Sequence, residues 1–237
     1  MRRPQAIGWW LFAAALALRA GWVLARWARC GPALEFDDER LHWQLATNLH
    51  SIGEMVSDDG RYAARMPLYP LLLALFGGFG QAGILAARLA QALLGAAGAL
   101  VAYRLAHAAA GARAAVVAGV LVACDPYNIF FANLLLTEVA FTLILLGLVA
   151  CAWRAAVRPD AARGAVVGVA LLGPAAVLTR PSATGWVVLL WLVLWLADRQ
   201  RRRAAPGLLA YAATLALFLL PWGLRNRAVI GSFAWLG

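Results

Sequence analysis

Residues 36–70 read FDDERLHWQLATNLHSIGEMVSDDGRYAARMPLYP, the one long polar passage in a chain that is otherwise nearly continuous hydrocarbon. Together with Glu35 they hold seven of the eleven carboxylates, and only Asp125, Glu138, Asp160 and Asp198 fall elsewhere. With 64% hydrophobic residues, 14% charged residues and a mean hydropathy of +0.75, the 237-residue chain lies far outside the soluble range. It reads as a polytopic membrane protein, and such a protein concentrates its chemistry where it places its polarity. The stretch is therefore expected to be the active-site loop, running over about 27–66.

Working outward from that loop, a spanning helix takes about 20 mostly apolar residues. About seven segments qualify: 7–26, 82–106, 112–124, 128–153, 162–179, 183–197 and 205–222. The expected fold class is all-α, a polytopic transmembrane helix bundle formed as a single domain over residues 1–237, with short interfacial helices in the first outer loop. The segment 67–80, PLYPLLLALFGGFG, is too short and too glycine-rich to span and reads as a re-entrant or interfacial helix started by Pro67. The span at 112–124 closes at Asp125 and Pro126, because proline restricts the residue before it. The first apolar run could be a cleavable signal peptide or an anchor. We read it as an uncleaved anchor, since apolar character resumes through 21–25, and Arg19 then snorkels or faces other helices. The chain stops at GSFAWLG, directly after PWGLRNR, and is expected to be the N-terminal part of a longer protein.

Within the loop, Leu41, Leu45 and Leu49 recur every four residues and draw an apolar stripe on a short helix. Asp38 and His42 are also four apart and neighbours on that helix. Asp37 or Asp38 is expected at its N-cap, and the other is then left to point at a substrate. Cys30, Cys124 and Cys151 show neither metal nor disulfide spacing.

The net charge of +10 comes entirely from arginine. Clustered on a soluble domain it would suggest nucleic acid; here the arginines punctuate hydrophobic spans, so they report topology and nucleic acid is not an expected partner. Placing the N-terminus in the cytoplasm puts Arg2, Arg3, Arg104, Arg113, Arg154, Arg158, Arg163, Arg199, Arg201, Arg202 and Arg203 on that side, with only Asp160 and Asp198 beside them. Arg65, Arg88, Arg180, Arg225 and Arg227 then fall near the outer ends, against the rule. An arginine at bilayer depth costs about 2.5–3.5 kcal/mol. Each could snorkel or pair with a carboxylate, but five at one face suit a shared anionic ligand, because guanidinium forks match phosphate oxygens.

These motifs together resemble the GT-C type membrane glycosyltransferases, in the branch of protein O-mannosyltransferases and lipid A aminoarabinose transferases. Asp38, Glu39, His42, Leu45 and Ala46 occupy the acidic pattern of the family's first outer loop, and MPLYP, Met66 to Pro70, matches its proline motif. LLTE ending at Glu138, LTRP at 178–181 and PWGLRN at 221–226 follow in the family's order. His42 stands where tyrosine is usual, and Ala64 and Arg65 stand where the aminoarabinose branch has a glutamate–lysine pair.

The resemblance implies inverting transfer of a sugar from a polyprenyl-phosphate carrier to a protein, lipid or glycan acceptor, at the outer face of the cell's inner (plasma) membrane. It assigns catalysis to Asp38 and substrate binding to Asp37, Glu39, His42, Arg65, Tyr69, Arg88, Glu138, Arg180 and Arg225. No cofactor is demanded, although a divalent cation is left open. Two other readings stay beside it: a transporter, and a non-catalytic membrane subunit that binds a lipid phosphate.

Overall fold

The computed structural model describes residues 3–157, 162–197 and 204–234. Arg2, Arg158, Asp160, Asp198, Arg199, Arg201, Arg202, Arg203 and the last three residues lie outside them. Every regular element among the described residues is helical. In chain order these are α1 (Arg3–Cys30), α2 (Asp37–Ile52), α3 (Leu68–Ala74), a 3-10 turn (Gly77–Phe79), α4 (Gly80–Ala123), α5 (Pro126–Phe131), α6 (Glu138–Val157), α7 (Ala162–Thr179), α8 (Ala183–Ala197) and α9 (Ala204–Ile230). Helices α1, α4 and α6 are long and apolar enough to cross a membrane, and α7 and α8 contribute shorter apolar helices. The chain is an all-helical membrane protein.

Two expectations on helix bounds change. The span expected over 128–153 is broken: α5 ends at Phe131 and α6 begins only at Glu138. The last span runs on to Ile230 with Pro221 inside it, so PWGLRN is helix and not the segment after it.

The residues divide into two compact units, Met1–Met55 with Pro70–Leu146, and Val56–Tyr69 with Gly147–Gly237. The first is organised by a fold-back in α4. At Gly111 the backbone leaves helical geometry (φ 86°, ψ −173°), a conformation that an L side chain resists. A straight helix would hold residues 95 and 123 about 42 Å apart, at 1.5 Å per residue. Instead Ala96, Ala99 and Ala123 share one buried cluster with Ala15, and a side chain at Gly119 would touch Cβ of Tyr103 at 3.3 Å. The arms 80–110 and 112–123 therefore lie antiparallel, as the separate spans 82–106 and 112–124 anticipate.

Helix α1 packs antiparallel to the first arm through small residues that let backbones approach. Gly8 faces Tyr103 and Leu100, with room for no more than hydrogen. At the far end of that arm, Gly83 is pressed onto the carbonyl oxygen of Phe76 and the ring of Trp43, which fixes α2 and the 3-10 turn against α4. In the second unit, Gly173 of α7 admits the ring of Tyr211 from α9 and Val187 from α8. Met66, Leu178 and Leu219 form a buried cluster that seats the segment 56–69 on the end of α7 and the middle of α9.

Gly83 and Gly98 make a matched test. A methyl at Gly83 collides with main chain, so Gly83→Ala should lose about 1–3 kcal/mol by overpacking. At Gly98 the nearest atom is Leu146 Cδ1 at 3.5 Å, an ordinary contact, so Gly98→Ala should be neutral or gain up to about 1 kcal/mol in helix propensity. Thermal unfolding in detergent micelles checks both.

Candidate functional site

The start of α2 divides its three acidic residues. Phe36 occupies the N-cap position in an extended conformation, and neither Asp37 nor Asp38 caps the helix as expected. The reason is Glu39, third in the helix, which reaches back so that its Oε2 accepts the backbone N–H groups of Glu35 (2.9 Å) and Phe36 (3.2 Å). That is the glutamate half of a capping box. Asp37 turns outward and pairs with Arg40 at 2.7 Å, and Asp38 is exposed. Glu39 is fully buried, on the same face as His42, Leu45 and Ala46, which are buried too.

Glu39 is also the hub of the first unit. Its Oε1 accepts the N–H of Leu135 at 2.8 Å, across 96 positions, and lies 3.9 Å from Nη2 of Arg88. Arg88, 2% exposed, donates to the carbonyls of Ala33 (2.7 Å) and Gly31 (3.3 Å). One turn along α4, Gln91 donates to the carbonyl of Leu134 at 2.6 Å. The end of α1, the start of α2, the first third of α4 and the break before α6 are thus tied by three side chains. Burial pushes the Glu39 carboxyl above the usual carboxylate range, while the N–H groups of Leu135 and Phe36 and the Arg88 charge pull it back.

Of the residues expected to bind substrate, Arg88 turns inward, and its partners are protein groups. Glu138 is half-buried as the first residue of α6. Arg65, Tyr69, Arg180 and Arg225 belong to the second unit. Tyr69 is buried, and Arg65, half-buried, donates to the carbonyl of Ala64 at 2.9 Å. Arg180 follows the last residue of α7. Arg225, on α9, lies over the rings of Trp222 (5.1 Å) and Tyr62 (5.5 Å), and donates to the Tyr62 carbonyl and to Oδ1 of Asn226 (3.0 Å). Since Met66 packs on Leu178 and Leu219 and Tyr62 meets Arg225, the segment 62–69 runs beside the end of α7, which Arg180 follows, and the part of α9 that carries Arg225.

Sequence reasoning passed over Gln91, Tyr62, Trp222 and the fully buried Asn226. Gln91 was within reach, because it stands three residues after Arg88 and so on the same helix face. Among the described residues, no three His, Cys, Asp or Glu side chains gather where they could hold a metal ion. No protein-family model, curated protein or solved structure matches this chain.

The Glu39–Arg88 pair makes two expectations. Arg88→Met leaves a buried carboxylate without its counter-charge and should cost about 3–5 kcal/mol at pH 7. That loss should shrink on acidification as Glu39 takes up a proton. In the wild type the raised carboxyl makes the folded state the better proton binder. Stability should therefore be fullest below the ordinary carboxylate value and fall as pH rises through the raised one. Glu39→Gln should remove that slope. Chemical unfolding in micelles between pH 4 and pH 7.5 reads all three.

Proposed function

We propose that this chain is an integral membrane glycosyltransferase that moves a sugar from a polyprenyl-phosphate donor to an acceptor at the extracytoplasmic face of the cell membrane. The observation that carries the reading is the seating of segment 62–69 on the end of α7 and the middle of α9, next to Arg180 and within reach of Arg225. Arg65 sits on that segment, so cations that break the positive-inside pattern occur together at one end of one unit. A lipid phosphate is the ligand that such a group suits. The same polar loop carries Asp38, exposed on a helix that Glu39 and Arg88 hold in place.

In the proposed reaction the acceptor attacks the anomeric carbon from the face opposite the phosphate and gives its proton to a carboxylate, the role that the resemblance assigns to Asp38. General-base help of this kind contributes about 10²–10⁴ in rate. The bond from the anomeric carbon to the phosphate oxygen breaks with its electron pair, and Arg65, Arg180 and Arg225 stabilise the charge that develops on the leaving polyprenyl phosphate. Arg88 acts at one remove by fixing α2 through Glu39. Orientation follows from the arginine distribution, with the N-terminus and the Gly111 fold-back in the cytoplasm and the loop of residues 31–66 outside.

In reconstituted membranes supplied with a polyprenyl-phosphate hexose, Asp38→Asn should lower transfer at least 10²-fold while donor binding stays within about twofold. Undiminished transfer would sink the assignment, and binding without any transfer in the wild type would favour the non-catalytic phosphate-binding subunit.

Topology is tested separately in intact cells by substituted cysteines in a background without native ones. Asp58→Cys should react with an impermeant thiol reagent and Arg113→Cys should not; the reverse pattern would overturn the orientation.

A further inference from the structure

The second arm of α4 stops short. Nη1 of Arg19 donates to the carbonyl of Ala123 at 2.9 Å, and Nη2 donates to that of Val122 at 2.8 Å. The same side chain crowds Gly95, whose Cβ position lies 2.7 Å from its Nε. The arm therefore ends at the level of Gly95, midway along the first arm. Arg88 lies two turns farther out on that first arm, about 10 Å away at 1.5 Å per residue. The chain regains the level of Gln91 and Arg88 only at 132–135, where those side chains and Glu39 meet its backbone.

Residues 124–131 consequently lie below the polar layer formed by Glu39, Arg88 and Gln91, yet they are not sealed inside protein. Cys124 is exposed, Tyr127 is 58% exposed, and Asp125 is only half-buried while capping α5 through the N–H of Tyr127 at 3.1 Å. Non-helical backbone is not tolerated against lipid, and a carboxylate facing hydrocarbon costs about 2.5–3.5 kcal/mol. Beneath this turn Arg19 is fully buried, with an Nε that has no hydrogen-bond partner.

We propose that residues 124–131 line a water-filled notch, which carries solvent about 10 Å below the level of Arg88 and ends on Asp125, above the buried Arg19. The exposed face of the turn then meets water and not lipid tails. The proposal is independent of the glycosyl-transfer reading.

Cys124 is a native reporter. In proteoliposomes holding the full chain, a charged, membrane-impermeant methanethiosulfonate applied on the side of the 31–66 loop should modify it. Labelling is read on the Cys124 peptide by mass spectrometry. The lipid-facing reference is Leu121→Cys, on the same arm, where Leu121 is 67% exposed. Thiols react as thiolates, which hydrocarbon suppresses, so Cys124 should label at least tenfold faster than Leu121→Cys with the charged reagent. Equal, slow labelling of both sites by the charged reagent would place the turn against lipid and overturn the proposal. Should Leu121→Cys fail to fold, the wild-type rate alone decides, since Cys124 unmodified after exhaustive treatment also overturns it.

Discussion

Where a helix ends inside a membrane protein, its last carbonyls and the N–H groups of the following chain have no water to turn to, and each one left unbonded costs several kcal/mol. Much of the first unit answers that constraint. Arg19 takes the carbonyls that terminate the second arm of α4, Gln91 takes a carbonyl in the break before α6, and Glu39 takes the N–H of Leu135. Arg88 does the same for the end of α1 through Gly31 and Ala33. Hydrophobic burial alone cannot hold four helices together in lipid, whose tails are as apolar as leucine. Buried polar groups aimed at broken backbone give the arrangement its register.

Close packing supplies the rest. Gly8, Gly83, Gly95 and Gly119 each lie where a side chain would meet a neighbour at 3.1 Å or less. The alanines at 15, 96, 99 and 123 extend the same low surface. Without that surface Arg19 could not reach Ala123, so the small residues and the buried cation depend on each other. The second unit uses the same device, where Gly173 receives the ring of Tyr211, Gly168 the sulfur of Cys151 and Gly223 the ring of Phe233.

The helical content was legible from hydropathy, as was the fold-back of α4, since Gly111 and Arg113 separate two apolar runs that composition alone could have joined. The stripe of Leu41 and Leu45 correctly marked a helix with one buried face. The break at 132–137 was not legible. Its residues, ANLLLT, are as apolar as a span, and it exists because side chains from positions 39 and 91 take up its backbone groups, a pairing that no local window contains. The off-rule arginines were a single class in the sequence, all charged against topology. In the fold Arg88 serves backbone carbonyls and Glu39, whereas Arg65, Arg180 and Arg225 belong to the other unit, where Arg225 lies over a tyrosine and a tryptophan that nothing in their spacing advertised. Asp37, Asp38 and Glu39 were also indistinguishable as letters. Which of them turns inward is set by the phase of a helix whose first residue could not be fixed from sequence.

The bond from Arg19 to Ala123 joins residues 104 positions apart, and that separation becomes a delay during synthesis. Chains grow at about 5–20 residues per second, so Arg19 is made some 5–20 s before the carbonyls it will bind. During that interval α1 carries a cation that lacks the bonds to Val122 and Ala123 which it makes in the fold. The arrival of the α4 hairpin is the event that lets α1 settle, which gives a multi-helix unit an order of assembly written into one residue.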